Sequence, residues 1–294
     1  MILVAGGTGR LGSLVAGSLC ERGHRVRVLS RGLAPHPGRL DPRVEVVRGD
    51  VTDATSLSAT MEGVEVVVSC VQGFAGPGEV TPESVDRQGN LNLVDAAKQV
   101  DADFVLVSVT GAASDSPMEL ARMKYAAEKY LRASDLRWTI VRSAAFAQLW
   151  LDLLAQTANR SGRPMVFGRG SNPIAWVDVQ DVTALVVRAV EDDSLRGELL
   201  EIGGAEPLTL MQLAQAYMDH RGATGHPRRV PRPMLHVMAN TVGRFKPQLG
   251  RQARAALAMD VLPPGDDSAT RDRFPDLPRR RVSEIIAHLP VFIT

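Results

Sequence analysis

Four glycines fall within seven residues in Gly6-Gly7-Thr8-Gly9-Arg10-Leu11-Gly12, directly after the apolar run Met1–Ala5. Glycines so placed let the chain turn tightly and bring its backbone close to a phosphate, while Gly12 lets the next helix pack against the strand. That helix, expected over Arg10–Glu21, points its amino end and free N–H groups toward an anion. Gly6, Thr8, Gly9, Arg10, Leu11 and Gly12 are therefore candidates to hold a pyrophosphate. Strand, glycine turn and helix in this order are the context in which the pattern indicates a dinucleotide site.

The second apolar run ends Val28-Leu29-Ser30-Arg31. A site selective for NAD places a carboxylate there to accept from the ribose 2′-OH. Here Ser30 and Arg31 offer a hydroxyl and a guanidinium instead, and a guanidinium pairs well with a 2′-phosphate. NADP(H) is the expected cofactor, with NAD(H) as the alternative. Asp50, in Arg48-Gly49-Asp50-Val51, has two readings: acceptor for the adenine amino group, or cap of a helix beginning near Asp53. Val51 follows it, and Ser69 and Cys70 end the fourth strand, where the chain passes close to a cofactor.

A third cluster sits between residues 108 and 132. Ser116-Pro117 starts a helix with a cap and a proline in its first turn. Helical periodicity sets Leu120, Lys124, Ala127 and Leu131 on one stripe, and Arg122, Tyr125, Lys129 and Arg132 on another that reads as a solvated basic face. Ser108 ends the fifth strand, so its hydroxyl can bind a substrate carbonyl or a nearby backbone group; Thr110 is a weaker candidate. Phe146, Trp150 and Trp176, with Met211, Met234 and Met238, suggest a mostly apolar substrate pocket. Arg228, Arg229 and Arg232 share one loop, but no arginine cluster suits a sugar nucleotide.

The elements that must position these residues are legible as an alternation. Apolar runs at Met1–Ala5, Arg25–Leu29, Val44–Val47, Val64–Cys70, Phe104–Val109 and Trp138–Arg142 alternate with helix-period segments near 10–22, 53–61, 85–99, 117–133 and 179–192. Repetition of strand and helix gives an α/β class: a Rossmann-type doubly wound parallel sheet. Residues 1–150, rejoined by 174–202, are expected to form the cofactor domain, and 151–173 with 203–294 a smaller substrate-binding part. Ser161–Pro173 reads as a loop, Leu199–Ile202 as a strand, and Thr209–Arg221 and Gln248–Asp260 as helices. The Arg279–Arg281 run reads as solvated surface.

Of 294 residues, 45% are hydrophobic and 23% charged, which suits a globular protein. The net charge of +1 gives no electrostatic case for nucleic acid or an anionic membrane as partner. Cys20 and Cys70 are too few for a disulfide scaffold, and no Cys/His cluster has zinc spacing, so no metal is expected. The N-terminus does not read as a signal peptide, and the expected location is cytoplasmic.

Taken together, these residues resemble the atypical short-chain dehydrogenase/reductase superfamily, specifically its NmrA-like branch. The matching pieces are GGTGRLG, GDVTD, QGNLNLVDAAKQ, FVLVSVTGA and KYAAEKYLRASDLRWTIVR, with the branch's second-half pattern over 174–190 and 199–213; the resemblance covers about residues 1–222 and weakens after that. The resemblance implies a reductase site built from a serine and a Tyr-x-x-x-Lys pair, in which the tyrosine donates a proton and the lysine binds the nicotinamide ribose. Tyr125 and Lys129 have that spacing, but the branch's Lys-x-x-x-Glu pattern falls on Lys124, Glu128 and Arg142. In that register the lysine is Lys124, and Leu120 stands where the tyrosine would be. The expected activity is NADPH-dependent reduction of a small, largely apolar ketone or quinone, by a monomer or homodimer. The alternatives are a non-catalytic NADP(H)-binding redox sensor and a sugar-nucleotide epimerase or dehydratase.

Overall fold

In the computed structural model, which describes residues 1–32, 40–74, 76, 78–158 and 162–288, the first apolar run forms β1 (Ile2–Ala5) with every residue buried. A strand apolar on both faces needs cover on both, which is the situation of a central strand in a parallel sheet. Next come α1 (Arg10–Glu21), β2 (Val26–Ser30), β3 (Glu45–Arg48) and β4 (Val66–Ser69). They are followed by α2 (Asn90–Lys98), β5 (Asp103–Val109), α3 (Glu119–Arg132) and β6 (Trp138–Ser143). After α4 (Ala147–Thr157), β7 (Met165–Phe167), β8 (Pro173–Ile174) and α5 (Val179–Glu191), strand β9 (Glu198–Ile202) completes the main sheet.

That sheet has seven strands in the order β3-β2-β1-β4-β5-β6-β9. The pairs β1–β2, β2–β3, β1–β4 and β4–β5 are parallel. This is the doubly wound α/β architecture expected from the sequence. The strand order reverses at β1, because β2 lies on one side and β4 on the other. Ala5 is in register with Leu29 and with Ser69. The residues leaving these three strand ends therefore emerge side by side at the switch point, where open α/β sheets bind ligands.

Two expected helices are realised differently. Over 53–61 the chain forms two 3-10 turns, Ala54–Ser56 and Ser58–Met61. Asp53 caps the first turn by accepting from Thr55 N–H, and Ser56 Oγ bonds back to the Asp50 and Asp53 carbonyls. Such local side-chain bonds compete with α-helix. The segment expected as helix from residue 85 begins instead with wide π-type turns over Pro82–Gly89, and only then becomes α2. Gly89 sits close against Val51 there: a Cβ would stand 2.7 Å from the valine Cγ2.

The chain divides into two compact units. One is Met1–Arg142 with Val182–Leu200, and the other is Ser143–Asp181 with the chain from Glu201 onward. The first boundary therefore falls after Arg142 rather than at 150, and the returning segment is narrower than 174–202. The reason is packing. Leu151 and Leu154 of α4, together with Trp176, belong to the second unit's core with Leu213, Tyr217 and Ile285. The first unit's core gathers Leu3, Leu57, Met61, Leu93, Phe104 and Leu131.

In the second unit, β10 (Leu208–Thr209) pairs antiparallel with β8, and after α6 (Leu210–His220), β11 (Arg228–Val230) pairs parallel with β7. Then come α7 (Arg232–Val237), a π turn over Met238–Val242, α8 (Gly243–Phe245), α9 (Pro247–Met259), α10 (Ser268–Arg273) and α11 (Val282–Ala287). The segment expected as a loop from 161 to 173 carries β7 and the start of β8; Ser161 lies outside the described residues. Its Arg169 and Gly170 N–H groups donate to the buried Asp260 carboxylate. Arg280 is not simply solvated surface, since it pairs with the buried Asp181 carboxylate at 2.9 Å. Among the described residues no helix is long and apolar enough to cross a membrane.

Gly12 tests the tightness of the first turn. A Cβ on it would stand 2.3 Å from the Gly6 carbonyl oxygen. Gly12→Ala should cost about 1–3 kcal/mol by overpacking, measured as a lower urea midpoint. An unchanged midpoint would show that the helix does not approach the strand this closely.

Candidate functional site

The glycine turn is shaped by its neighbours before any ligand is considered. Gly6 adopts φ +78°, and a Cβ on it would meet the Cys70 carbonyl at 2.8 Å. Gly9 N–H donates to Gly6 O at 3.0 Å, and Gly9 then caps α1 in an extended conformation. No side chain caps that helix, and its first turn holds no acidic residue. The Leu11 and Gly12 N–H groups precede the first intrahelical bond, from Ser13 N to Gly9 O. Thr8 is half-buried and Gly9 exposed. An uncapped amino end beside a turn that admits no Cβ at Gly6 or Gly12 fits a pyrophosphate. Leu11 has only its N–H to offer a ligand, because its side chain is core.

At the end of β2, Ser30 is buried and its carbonyl accepts from Gly49 N–H. Arg31 is exposed, and no described residue pairs with it. The sequence reasoning missed Arg48. It ends β3 in register with Ser30, is exposed, and its Nε lies 3.9 Å from where a Cβ of Gly32 would be. Parallel register thus sets Arg48 beside the β2 end that carries Arg31. Asp50 does not cap the 3-10 turn, because Asp53 does. Its Oδ1 accepts from Thr52 N and Oγ1 at 2.9 and 2.8 Å. Oδ2 has no partner among the described residues and remains available to a donor. The Val51 side chain is buried in the first unit's core, which leaves only its backbone to meet a ligand.

Lys124 falls on the buried stripe of α3 with Leu120, Ala127 and Leu131, while Lys129 is exposed and Tyr125 half-buried. The structure therefore separates Tyr125 from a buried lysine in its own register. Lys124 donates to the Val71 carbonyl at 2.8 Å and lies 3.2 Å from Asp86 Oδ1. Asp86 is fully buried and accepts from Gly73 N–H through Oδ2 at 2.8 Å. Burial raises its pKa, with Lys124 only partly offsetting that effect. Asn90 extends the chain, donating to the Asp86 carbonyl and accepting from Ser69 Oγ, each at 2.6 Å. Ser69 is thus committed to Asn90. Burial pushes the Cys70 thiol up to about 12, so it is no thiolate near neutral pH. Asp86 and Asn90 also escaped the sequence reading. The available signal was Lys124 itself, since an ammonium on an apolar stripe needs a buried acceptor.

Ser108 is placed differently from either expectation. It is buried and donates to Glu128 Oε1 at 2.5 Å. Glu128 is also held by Arg142, with Nε–Oε1 and Nη2–Oε2 contacts of 2.9 and 2.6 Å. This polar cluster fastens α3 to β5 and β6.

Of the expected substrate residues, Trp176 is wholly buried and its indole N–H donates to the Leu208 carbonyl, so it is core. Trp150 is half-buried and packs on it at 5.3 Å between ring centroids. Phe146 is half-buried at the start of α4. Met234 is exposed and does not join them. Trp150 does line a recess with Phe167, Ile174, Leu210, Met259 and Asp260, but this encloses only about 10 Å³, about one water.

A family model described as NAD(P)H-binding matches residues 6–193. The photosystem II assembly factor Ycf39 of Synechocystis is 29% identical over 90% of this chain and 80% of its own. The NAD(P)H azoreductase of Xenophilus azovorans is 29% identical over 78% of this chain and 76% of its own. Among solved structures, the NADPH-dependent quinone oxidoreductase QOR2 of Escherichia coli, complexed with NADPH, superposes with a TM-score of 0.79. The match is 21% identical and covers 98% of this chain and 99% of that one. The family match bears out the expected NAD(P)H-binding domain, and the superposition bears out its fold.

The buried Asp86 makes a test of the lysine's surroundings. Its folded pKa is raised, so the native state holds the proton more tightly than the unfolded chain. Its contribution to stability is present below the unfolded value, about 4, and is lost as pH rises through the folded value. Thermal unfolding of wild type and Asp86→Asn across that window should show a flatter pH slope in the variant. Equal slopes would mean that Asp86 titrates as an ordinary carboxylate.

Proposed function

The chain belongs to the NAD(P)H-binding family, and from that premise we propose that it is an NADPH-dependent reductase of a small, mostly apolar ketone or quinone. Arg31 carries the proposal: an exposed guanidinium without a described partner stands where an NAD site needs a carboxylate. Arg48 beside it adds a second cation for a 2′-phosphate. Asp50 Oδ2 is free to accept from the adenine amino group, and the N–H groups of the Gly6–Gly12 turn face the pyrophosphate. When bound, the cofactor supplies a hydride.

Of the three Lys124 N–H groups one is donated to the Val71 carbonyl, while Asp86 Oδ1 faces the ammonium as an ion pair at 3.2 Å. A further N–H is free to hold the nicotinamide ribose. Phe146 and Trp150 are proposed as apolar substrate contacts, with Trp176 supporting Trp150 from behind. Leu120 is apolar and buried, so the proton comes from water or from a hydroxyl of the substrate. The azoreductase and quinone oxidoreductase among the similar proteins support reduction of an apolar acceptor.

A second reading, a non-catalytic NADP(H)-binding protein, is favoured by Leu120 and by similarity to an assembly factor. An epimerase or dehydratase of sugar nucleotides fits less well, since Arg31 disfavours tightly held NAD and Leu120 removes the tyrosine.

Calorimetric titration should give tighter binding of NADPH than of NADH. Arg31→Asp should weaken NADPH about tenfold or more and leave NADH little changed. Failure to bind either cofactor would overturn the assignment. NADPH consumption over a panel of quinones and aromatic ketones then separates the two readings, since binding without turnover supports the second. Tyr125→Phe should retain turnover; its loss with unchanged cofactor affinity would make Tyr125 the proton donor.

A further inference from the structure

The net charge of +1 conceals a segregation. Residues 221–259 contain seven arginines and one lysine, and no aspartate or glutamate. The rest of the chain therefore carries 26 basic and 33 acidic residues, a net charge of −7. The carboxylate that follows, Asp260, is buried and already engaged by Arg169 and Arg232. Arg229 and Arg254 donate to the backbone carbonyls of Arg169 and Ala239, which satisfies hydrogen bonds without neutralising charge. Arg244 and Lys246 are exposed, with no partner among the described residues.

The same segment exposes apolar side chains of a size that a surface rarely shows together. Phe245 is 85% exposed, Val237 59% and Met234 56%. They lie on the helical run from α7 through the π turn to α8, at spacings of three and eight residues that keep them toward one side. Leu235 and Ala239, on the opposite side, pack with Ala253 of α9 in a small core. The exposed stripe is therefore not the side that holds the segment in place. Arg244 and Lys246 bracket Phe245 in sequence.

We propose that the α7–α8 face of the second unit is a peripheral docking surface for an anionic lipid bilayer. The cations meet phosphate headgroups, and Phe245, Val237 and Met234 enter the headgroup–acyl boundary. A polyanion such as nucleic acid would reward the arginines but leave these apolar side chains in water. A bilayer interface takes both. No spanning helix is involved, so attachment is reversible and sensitive to salt.

The full chain is sedimented with vesicles of phosphatidylcholine alone and with vesicles of phosphatidylcholine and phosphatidylglycerol. It should bind the second kind only, and progressively less as salt rises above about 0.15 M. Replacing Arg244 and Lys246 by alanine together should reduce partitioning about thirtyfold, near fivefold for each basic residue. Phe245→Ser leaves the charge intact and should reduce it about tenfold; circular dichroism checks that both variants keep their fold. Failure to bind anionic vesicles, the outcome if an acidic protein is the true occupant, overturns the proposal. So does binding that both variants leave unchanged.

Discussion

A buried ammonium has to be answered by oxygen, and the way Lys124 is answered organises the carboxyl end of the sheet. Its bonds to the Val71 carbonyl and toward Asp86 reach across from α3 to the segment leaving β4. Asp86 in turn holds Gly73 N–H, so the chain from Cys70 to Gly73 is pinned at two points by one ion pair. The Gly6 turn depends on that pinning, because it approaches the Cys70 carbonyl too closely for any side chain. If the 70–73 segment moved, the turn would lose the wall that fixes its shape. A charged pair this deep is not chosen for stability alone, since an apolar pair of similar volume is often as stable. What the ion pair adds is a fixed position for a cation with one donor left over.

The second buried polar cluster has a different character. Ser108, Glu128 and Arg142 satisfy one another, and Arg142 also donates to the Ala112 carbonyl at 3.1 Å. Every strong group there has a partner, which is the pattern of a structural brace rather than of a site awaiting a ligand. The contrast with Lys124 and Asp50 is one of donor and acceptor capacity. Lys124 keeps an uncommitted N–H and Asp50 an uncommitted oxygen, while the Ser108 hydroxyl donates its hydrogen bond to a carboxylate inside the fold.

What was legible in the sequence was whatever depends on nearby residues. The glycine turn, the order of strands and most of the helices between them, and the buried register of Lys124 follow from local spacing, and these stand where the spacing put them. What was not legible depends on partners brought together by the sheet. Arg48 joins the Arg31 end because β3 pairs with β2 in parallel, and nothing local to Arg48 announces that neighbour. Ser108 reads as a site residue until Glu128, twenty residues on, is seen to accept its hydrogen bond. Trp176 reads as a pocket wall until the Leu208 carbonyl claims its N–H. The helix expected over 53–61 failed for a local reason of another kind. Aspartate and serine side chains bonding to nearby backbone stabilise tight turns, and apolar periodicity does not record that competition.

Leu120 is the residue on which the reductase reading turns. A positioned general acid contributes about 10²- to 10⁴-fold to a proton-coupled step. Aligning two reactants contributes far more, with effective molarities of about 10⁵–10⁸ M. A reductase that lost its tyrosine but kept its alignment would thus retain most of its rate advantage, provided that the acceptor tolerates late protonation. A quinone does, because its reduction leaves a phenolate whose negative charge is delocalised into the ring. A ketone, aryl or aliphatic, is left as a localised alkoxide and would need the missing acid at the moment of hydride transfer. On the reductase reading, the leucine at position 120 thus discriminates among substrates rather than against catalysis, in favour of acceptors whose reduced oxygen is a stable anion.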